Sequence, residues 1–204
     1  MPFEGDLDTP VGNPDVVATM VEFLTDGAVK APTANEADIH TILFTDMESS
    51  TALTQSLGDA KAQDLIRAHN TMVREALAAN AGSEIKHTGD GIMASFTTAS
   101  SALACAVAIQ QAVAARAEEQ LEIPLGLRIG LNAGEPVAEE DDLFGTAVQL
   151  AARICDRAEP GQIVTSNVVR ELAAGKGFLF ADIGEVVPKG FEEPVRLYEV
   201  RWQE

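Results

Sequence analysis

Two acidic residues, Asp46 and Asp90, stand where the chain would expose them. Asp46 follows the apolar and β-branched run 39–44, which is typical of a buried strand, and Asp90 occupies a Gly-Asp-Gly turn of a hairpin. If the two strands are neighbours, the carboxylates lie together with no Lys or Arg between them. Two divalent cations would relieve their repulsion. The alternatives are an ordinary helix cap at Asp46 and a turn at Asp90 that bonds its own backbone.

The residues after Asp46 favour phosphate binding. They run Met47-Glu48-Ser49-Ser50-Thr51, the Ser/Thr-rich start of a predicted helix. Unpaired N–H groups at a helix N-terminus suit phosphate oxygens, and carboxylate oxygens suit hard cations. This segment could therefore hold a metal ion and a phosphate together.

A third segment, residues 142–153, places an amide and a guanidinium at helical spacing. Gln149 and Arg153 are four residues apart, so they share one face of a helix predicted at about 145–158. Together they could hold a ribose and a phosphate. A solvated helix face is the alternative interpretation.

The elements that must position these residues alternate in a recognisable order. A strand at 39–44, a helix whose apolar stripe spans 65–77, a hairpin at 83–96, a helix at about 99–119 and a strand at 125–132 give βαββαβ. This order predicts an α+β fold with a ferredoxin-like core. An acidic loop at 139–142, a helix, a strand at 162–165, a short helix and a strand pair form a C-terminal αβ extension.

The composition argues against a nucleic-acid-binding protein and against a membrane protein. The 204 residues include 14 Lys+Arg and 32 Asp+Glu, a formal net charge of −18, which disfavours nucleic-acid binding. No apolar run approaches the roughly 18 residues of a membrane span, so we expect no membrane insertion and a cytoplasmic protein. Cys105 and Cys155 are expected to be buried apolar residues.

The chain divides into two predicted parts. Residues 1–38 are interrupted by prolines and are predicted to be a linker with one short helix at about 16–24. Residues 39–204 are predicted to form the folded domain. We expect no catalytic group before residue 36.

Three segments, residues 44–51, 86–90 and 142–153, resemble in this order the catalytic domain of class III nucleotidyl cyclases. The resemblance extends from about Thr41 to Arg201. The resemblance implies that Asp46 and Asp90, with the backbone of Met47, hold two Mg²⁺ or Mn²⁺ ions per active site. It also implies that the loop of Met47, Ser49, Ser50 and Thr51 binds substrate.

The resemblance further implies a substrate and a role for each remaining residue. Lys86 and Asp142 match the pair that reads adenine in adenylate cyclases, whereas guanylate cyclases typically have Glu and Cys there. Arg153 matches a residue that stabilises the transferring phosphate, and Lys189 resembles a phosphate-binding lysine. The implied activity is conversion of ATP to 3′,5′-cyclic AMP and pyrophosphate at composite sites of a head-to-tail homodimer.

Two departures from the family pattern leave alternatives open. Gln149 stands where the family usually has Asn, and Glu135 stands where an Arg often contacts the phosphates. A guanylate cyclase, or a weakly active nucleotide-sensing module of the same fold, remains an alternative. A diguanylate cyclase is excluded because the turn lacks the Gly-Gly-Asp/Glu-Glu-Phe sequence.

Overall fold

The computed structural model describes residues 38–48, 58–119 and 126–203. Within them, the strands are β1 (His40–Met47), β2 (Ser83–His87), β3 (Ile92–Phe96), β4 (Leu127–Gly134), β5 (Val137–Glu139), β6 (Asp142–Phe144), β7 (Ile163–Ser166), β8 (Leu179–Val186) and β9 (Val195–Arg201). The helices are α1 (Asp59–Ala79), α2 (Ala99–Glu119), α3 (Thr146–Arg157) and α4 (Asn167–Leu172). The predicted linker, residues 1–38, lies outside the described part except for Asp38.

The main sheet has the strand order β2-β3-β1-β4-β7-β9-β8. Its first four strands pair antiparallel in the ferredoxin-like order, while β7 joins β4 in parallel and carries the C-terminal extension. The predicted α+β fold is therefore confirmed. One detail differs: in the segment 139–142, expected to form a loop, Glu139 and Asp142 are paired residues of the small hairpin of β5 and β6, and only residues 140 and 141 form its turn.

Alternation along the strands builds a core on each face of the sheet. Leu43 of β1 packs in a cluster with α1 and α2, whereas its neighbour Ile42 packs in a second cluster with Val148 of α3. Gly130 of β4 lets α3 come close, because a Cβ there would collide with the backbone of Cys155. The sheet thus separates α1 and α2 from α3, the helix that carries Gln149 and Arg153.

The predicted apolar stripe of α1 is the face that the sheet buries. It includes His69, which is fully buried. Both cysteines are buried as well, and burial raises the pKa of each thiol to about 12, which leaves both unreactive at neutral pH. No helix in the described ranges has the length and apolar character needed to cross a bilayer.

Candidate active site

The end of β1 and the turn before β3 lie side by side. Antiparallel pairing of β1 with β3 brings them together, and the backbone N–H of Met47 donates to the carbonyl oxygen of Asp90 at 3.2 Å. Gly91 is required for this approach, because a Cβ there would collide with the carbonyl oxygen of Thr45. The expected juxtaposition of the Asp46 and Asp90 segments is present in the fold.

A cation that sequence reasoning missed lies against Asp46. Arg128 is opposite Asp46 in the β1–β4 register, and its Nε donates to Oδ2 of Asp46 at 2.7 Å. Its Nη1 donates to the carbonyl oxygen of Asp156 at the end of α3, 3.2 Å away. Asp46 therefore has a cationic partner that was not predicted, and this partner lies on β4, across β1 from the strand that follows Asp90. The available signal was that Arg128 alternates with the inward Leu127 and Ile129 of a predicted strand.

Burial and charge act in opposite directions on Asp46. Partial burial raises the pKa of its carboxyl, the ion pair with Arg128 lowers it, and the neighbouring Asp90 carboxylate adds to the rise. The net effect is a pKa above the usual value. A further positive charge at this edge would stabilise the ionised form of Asp46.

The two carboxylates fit small divalent cations that arrive with a nucleotide. No group of three or more His, Cys, Asp or Glu side chains in the described ranges forms a metal cage. Mg²⁺ characteristically takes one or two protein carboxylates and completes its shell with water and substrate phosphates. Asp46 and Asp90 can supply those carboxylates. Ser49, Ser50 and Thr51, predicted to bind substrate beside Met47, lie outside the described residues.

Lys86 and Asp142 meet directly, although they are 56 residues apart in the chain. Nζ of Lys86 donates to both carboxylate oxygens of Asp142, at 2.6 and 2.9 Å, and lies 5.3 Å from the ring centroid of Phe144. The Lys86 hydrogen bond lowers the pKa of Asp142, and the N–H of Leu143 assists. The pair predicted to read a base is thus assembled and charged within one chain.

Gln149 and Arg153 share the exposed face of α3, as predicted, while Val148, Ala151 and Ile154 of that helix are buried. Arg153 makes an ion pair with Asp156 at 3.0 Å, and both side chains remain substantially exposed. The guanidinium can exchange this partner for a phosphate at little cost, because an exposed ion pair contributes little.

Arg153 and Lys189 line the same open cavity of about 410 Å³, together with Asp156 and Arg157. Three cations against one carboxylate make this a locally positive surface on a protein of net charge −18. Such a cavity suits an anion with several negative oxygens. Arg157 was not predicted, although its position four residues after Arg153 on α3 was the signal.

This cavity does not contain all of the predicted site residues. In the part of the chain that the structure describes, its lining includes none of Asp46, Asp90, Lys86 and Asp142.

Comparisons with known proteins identify the family. The model of the adenylate and guanylate cyclase catalytic domain matches residues 33–201, and the chain belongs to this family. The fold is that of a class III cyclase catalytic domain: the adenylyl cyclase CyaB from P. aeruginosa superimposes with a TM-score of 0.70 at 23% identity, over 80% of this chain and 93% of that one.

Two further proteins show the range of similarity. The adenylate/guanylate cyclase/hydrolase from Silicibacter pomeroyi has a TM-score of 0.70 and is 34% identical, with 79% of this chain and 95% of that chain covered. A putative adenylate cyclase 3 from Rhizobium meliloti is 39% identical over 119 residues, which are 57% of this chain and 20% of the relative. The chain therefore spans a minor part of that curated relative.

Proposed function

We propose that this domain is an adenylate cyclase that converts ATP to 3′,5′-cyclic AMP and pyrophosphate. The observation that carries the proposal is the ion pair of Lys86 and Asp142, assembled on the scaffold of a cyclase catalytic domain. An ammonium donor beside a carboxylate acceptor matches the edge of adenine, whose ring nitrogen accepts and whose exocyclic amine donates. Guanine presents a ring N–H and a carbonyl oxygen instead, so both contacts would be mismatched.

The end of β1 with Asp46 and the turn with Asp90, here called the acidic edge, supply the metal ligands in this proposal. Asp46 and Asp90, with the backbone of Met47, would hold two Mg²⁺ or Mn²⁺ ions. When bound, these ions lower the pKa of the ribose 3′-hydroxyl and neutralise the triphosphate. Arg128 bonds to Oδ2 of Asp46, so Oδ1 would be the oxygen that binds a cation.

The cation-lined cavity would receive the phosphates. The 3′-oxygen loses its proton and forms a bond to the α-phosphorus, while the bond from that phosphorus to the oxygen of the leaving pyrophosphate breaks. Arg153 and Lys189 would offset the charge that develops on the phosphates. Gln149 would orient the ribose through its amide. Since no side-chain base stands out, solvent or the substrate takes the proton.

The absence of the acids and of the Lys86–Asp142 pair from the lining of the cavity of Arg153 and Lys189 supports a head-to-tail homodimer. One chain would contribute Asp46 and Asp90, and its partner would contribute the base-reading pair and Arg153, so that two composite sites form. We further propose that the domain begins near residue 39, that it works in the cytoplasm, and that it binds neither nucleic acid nor membrane.

The departures at Gln149 and Glu135 favour one second candidate, a weakly active nucleotide-sensing module. Gln149 is one methylene longer than the usual Asn, and small displacements strongly reduce rates when two groups must be aligned. Incubation of the purified chain with Mn²⁺ and ATP, or with Mn²⁺ and GTP, separates the candidates by mass spectrometry of the products. Cyclic AMP formation from ATP is expected. Nucleotide binding without any cyclic product would favour the sensing module, and preferential cyclic GMP formation would favour a guanylate cyclase.

A further inference from the structure

A chain of hydrogen bonds links helix α1 to the turn that carries Asp90. Its buried end centres on His69, whose Nε2 lies 3.2 Å from Oγ1 of Thr45. The same Oγ1 accepts the backbone N–H of Ile92 at 2.9 Å. This arm therefore reaches the first residue of β3, two positions after Asp90.

The other end of the chain passes through Asn70 and reaches the turn from the opposite side. Oδ1 of Asn70 lies 3.0 Å from Nδ1 of His69 and 3.1 Å from Nε2 of His87. Nδ1 of His87 lies 3.2 Å from the backbone nitrogen of Gly89, which precedes Asp90. The two arms thus end on backbone N–H groups on either side of the acid.

The donors and acceptors of this chain have one consistent arrangement. The N–H of Gly89 is a donor, so Nδ1 of His87 accepts and the ring proton sits on Nε2, which donates to Asn70. Since Oδ1 of Asn70 carries no hydrogen, Nδ1 of His69 must donate to it as well. Nε2 of His69 is then left to accept from the hydroxyl of Thr45, whose oxygen accepts from Ile92.

The reversed orientation of the Asn70 amide fails on chemical grounds. Its NH₂ group would then face Nε2 of His87, and both ring nitrogens of His87 would have to accept, which a neutral imidazole cannot do. Neutral imidazoles satisfy every position of the chain. Burial lowers the pKa of His69, which agrees with its neutral form.

Two backbone hydrogen bonds hold the turn, from the N–H of Met47 to the carbonyl oxygen of Asp90 and from the N–H of Thr88 to that of Gly91, but neither involves the N–H groups of Gly89 and Ile92. Two residues of the turn are glycines, and Gly89 has a φ of +96°, in the region that side chains disfavour. Glycine loses more conformational freedom on ordering than other residues, so an unsupported turn would incur that cost when a ligand bound to Asp90. Anchoring the N–H groups of Gly89 and Ile92 supplies this order in advance.

We propose that Asn70, together with the two histidines that it joins, is a positioning residue that holds the Asp90 turn in the geometry that binds divalent cations. The inference rests on the metal role proposed above for Asp46 and Asp90. Asn70 acts through its neighbours and has no contact with the reacting atoms.

Three variants of adjacent α1 residues test the inference. Asn70→Ala removes the shared acceptor, and Asn70→Asp keeps an oxygen at the same place. Thr71→Ala is the matched control, because the Thr71 hydroxyl donates within its own helix to the carbonyl of Arg67. The first readout is hydrogen exchange at the Gly89 amide, measured by NMR without metal or nucleotide. We expect exchange about tenfold faster in Asn70→Ala and unchanged in the other two variants.

The second readout is Mn²⁺ affinity. Calorimetry would titrate Mn²⁺ into protein saturated with 3′-deoxy-ATP, which lacks the attacking hydroxyl, with a protein-free blank for chelation by the nucleotide. Loss of a group that orients a metal ligand typically weakens binding about 10- to 100-fold, and we expect at least tenfold for Asn70→Ala. Asn70→Asp should restore the affinity, and Thr71→Ala should leave it unchanged.

Failure of the inference and failure of the proposed function give different results. Unchanged Gly89 exchange in Asn70→Ala overturns the inference, and so does faster exchange with unchanged Mn²⁺ affinity. Equal Mn²⁺ affinities for the wild type and Asp46→Ala would instead overturn the metal role of the acidic edge.

Discussion

The acidic edge and the nucleotide-reading surfaces of this domain are built in different ways. Asp46 and Asp90 are placed by backbone pairing and by a glycine that permits close approach, and a hydrogen-bond chain that is buried at its His69 end reaches the residues on both sides of Asp90. Lys86, Asp142 and Arg153 are long or exposed side chains that contact one another or solvent. The acids are therefore fixed by the backbone of a single chain, whereas Lys86, Asp142 and Arg153 are held by side-chain ion pairs that are partly exposed to solvent.

The largest effect is expected at the acidic edge. Asp46→Ala should lower kcat about a thousandfold or more, because loss of metal stabilisation corresponds to several kcal/mol. The matched control is Asp64→Ala, which removes an exposed carboxylate on α1 paired with Arg67. Wild-type kcat for Asp46→Ala at saturating Mn²⁺ would show that the metals bind elsewhere.

The next effect concerns base selection. Asp142→Asn exchanges one carboxylate oxygen for an NH₂ group and breaks the bidentate contact with Lys86, so the preference for ATP over GTP should fall by about a hundredfold. The measurement is the ratio of kcat/KM for the two nucleotides. If the wild type uses ATP and GTP equally, the base-reading role of the pair is wrong from the outset.

A smaller effect is expected at Arg128, the cation that pairs with Asp46 when no metal is bound. Arg128→Met should lower the free energy of unfolding by about 1–2 kcal/mol in EDTA, since it removes charged hydrogen bonds to Asp46. Arg196→Met removes a more exposed ion pair with Asp182 and should lower the free energy of unfolding by less than Arg128→Met does. Urea denaturation of both variants gives the comparison. Equal losses would mean that the Asp46 pair is no stronger than a surface pair.

The smallest expected effect is the pH dependence of the free energy of unfolding that His69 causes. Burial lowers the pKa of His69 in the folded protein below the usual histidine value of about 6.5, so the folded protein binds fewer protons than the unfolded chain. Its contribution to stability is present above pH 6.5 and is lost as the pH falls from there to the folded pKa, with a slope of at most about 1.4 kcal/mol per pH unit. His69→Gln should flatten this part of the profile. An unchanged slope in that variant would assign the dependence to other groups.

The sequence predicted the fold and the proximity of the Asp46 and Asp90 segments, for a physical reason. Apolar periodicity determines which strands and helices form, and the Gly89-Asp90-Gly91 turn indicates a hairpin. The contacts between elements that are distant in sequence were not predicted. Arg128 meets Asp46 only through the register of β1 with β4, and His69 joins Asn70 and His87 only because α1 packs beside the hairpin. Local patterns carry no information on such registers.

The composite site is the central claim, and one complementation experiment tests it most directly. Asp46→Ala and Arg153→Ala homodimers should each be nearly inactive, because both of their sites lack an essential group. In a heterodimer of the two variants, one site carries both lesions and the other carries neither. Random subunit exchange gives about half heterodimers with one intact site in two, so a mixture should recover about a quarter of wild-type activity. Recovery near zero, after size-exclusion chromatography of tagged chains has shown that the subunits exchanged, would mean that each site is built within one chain and would contradict the account.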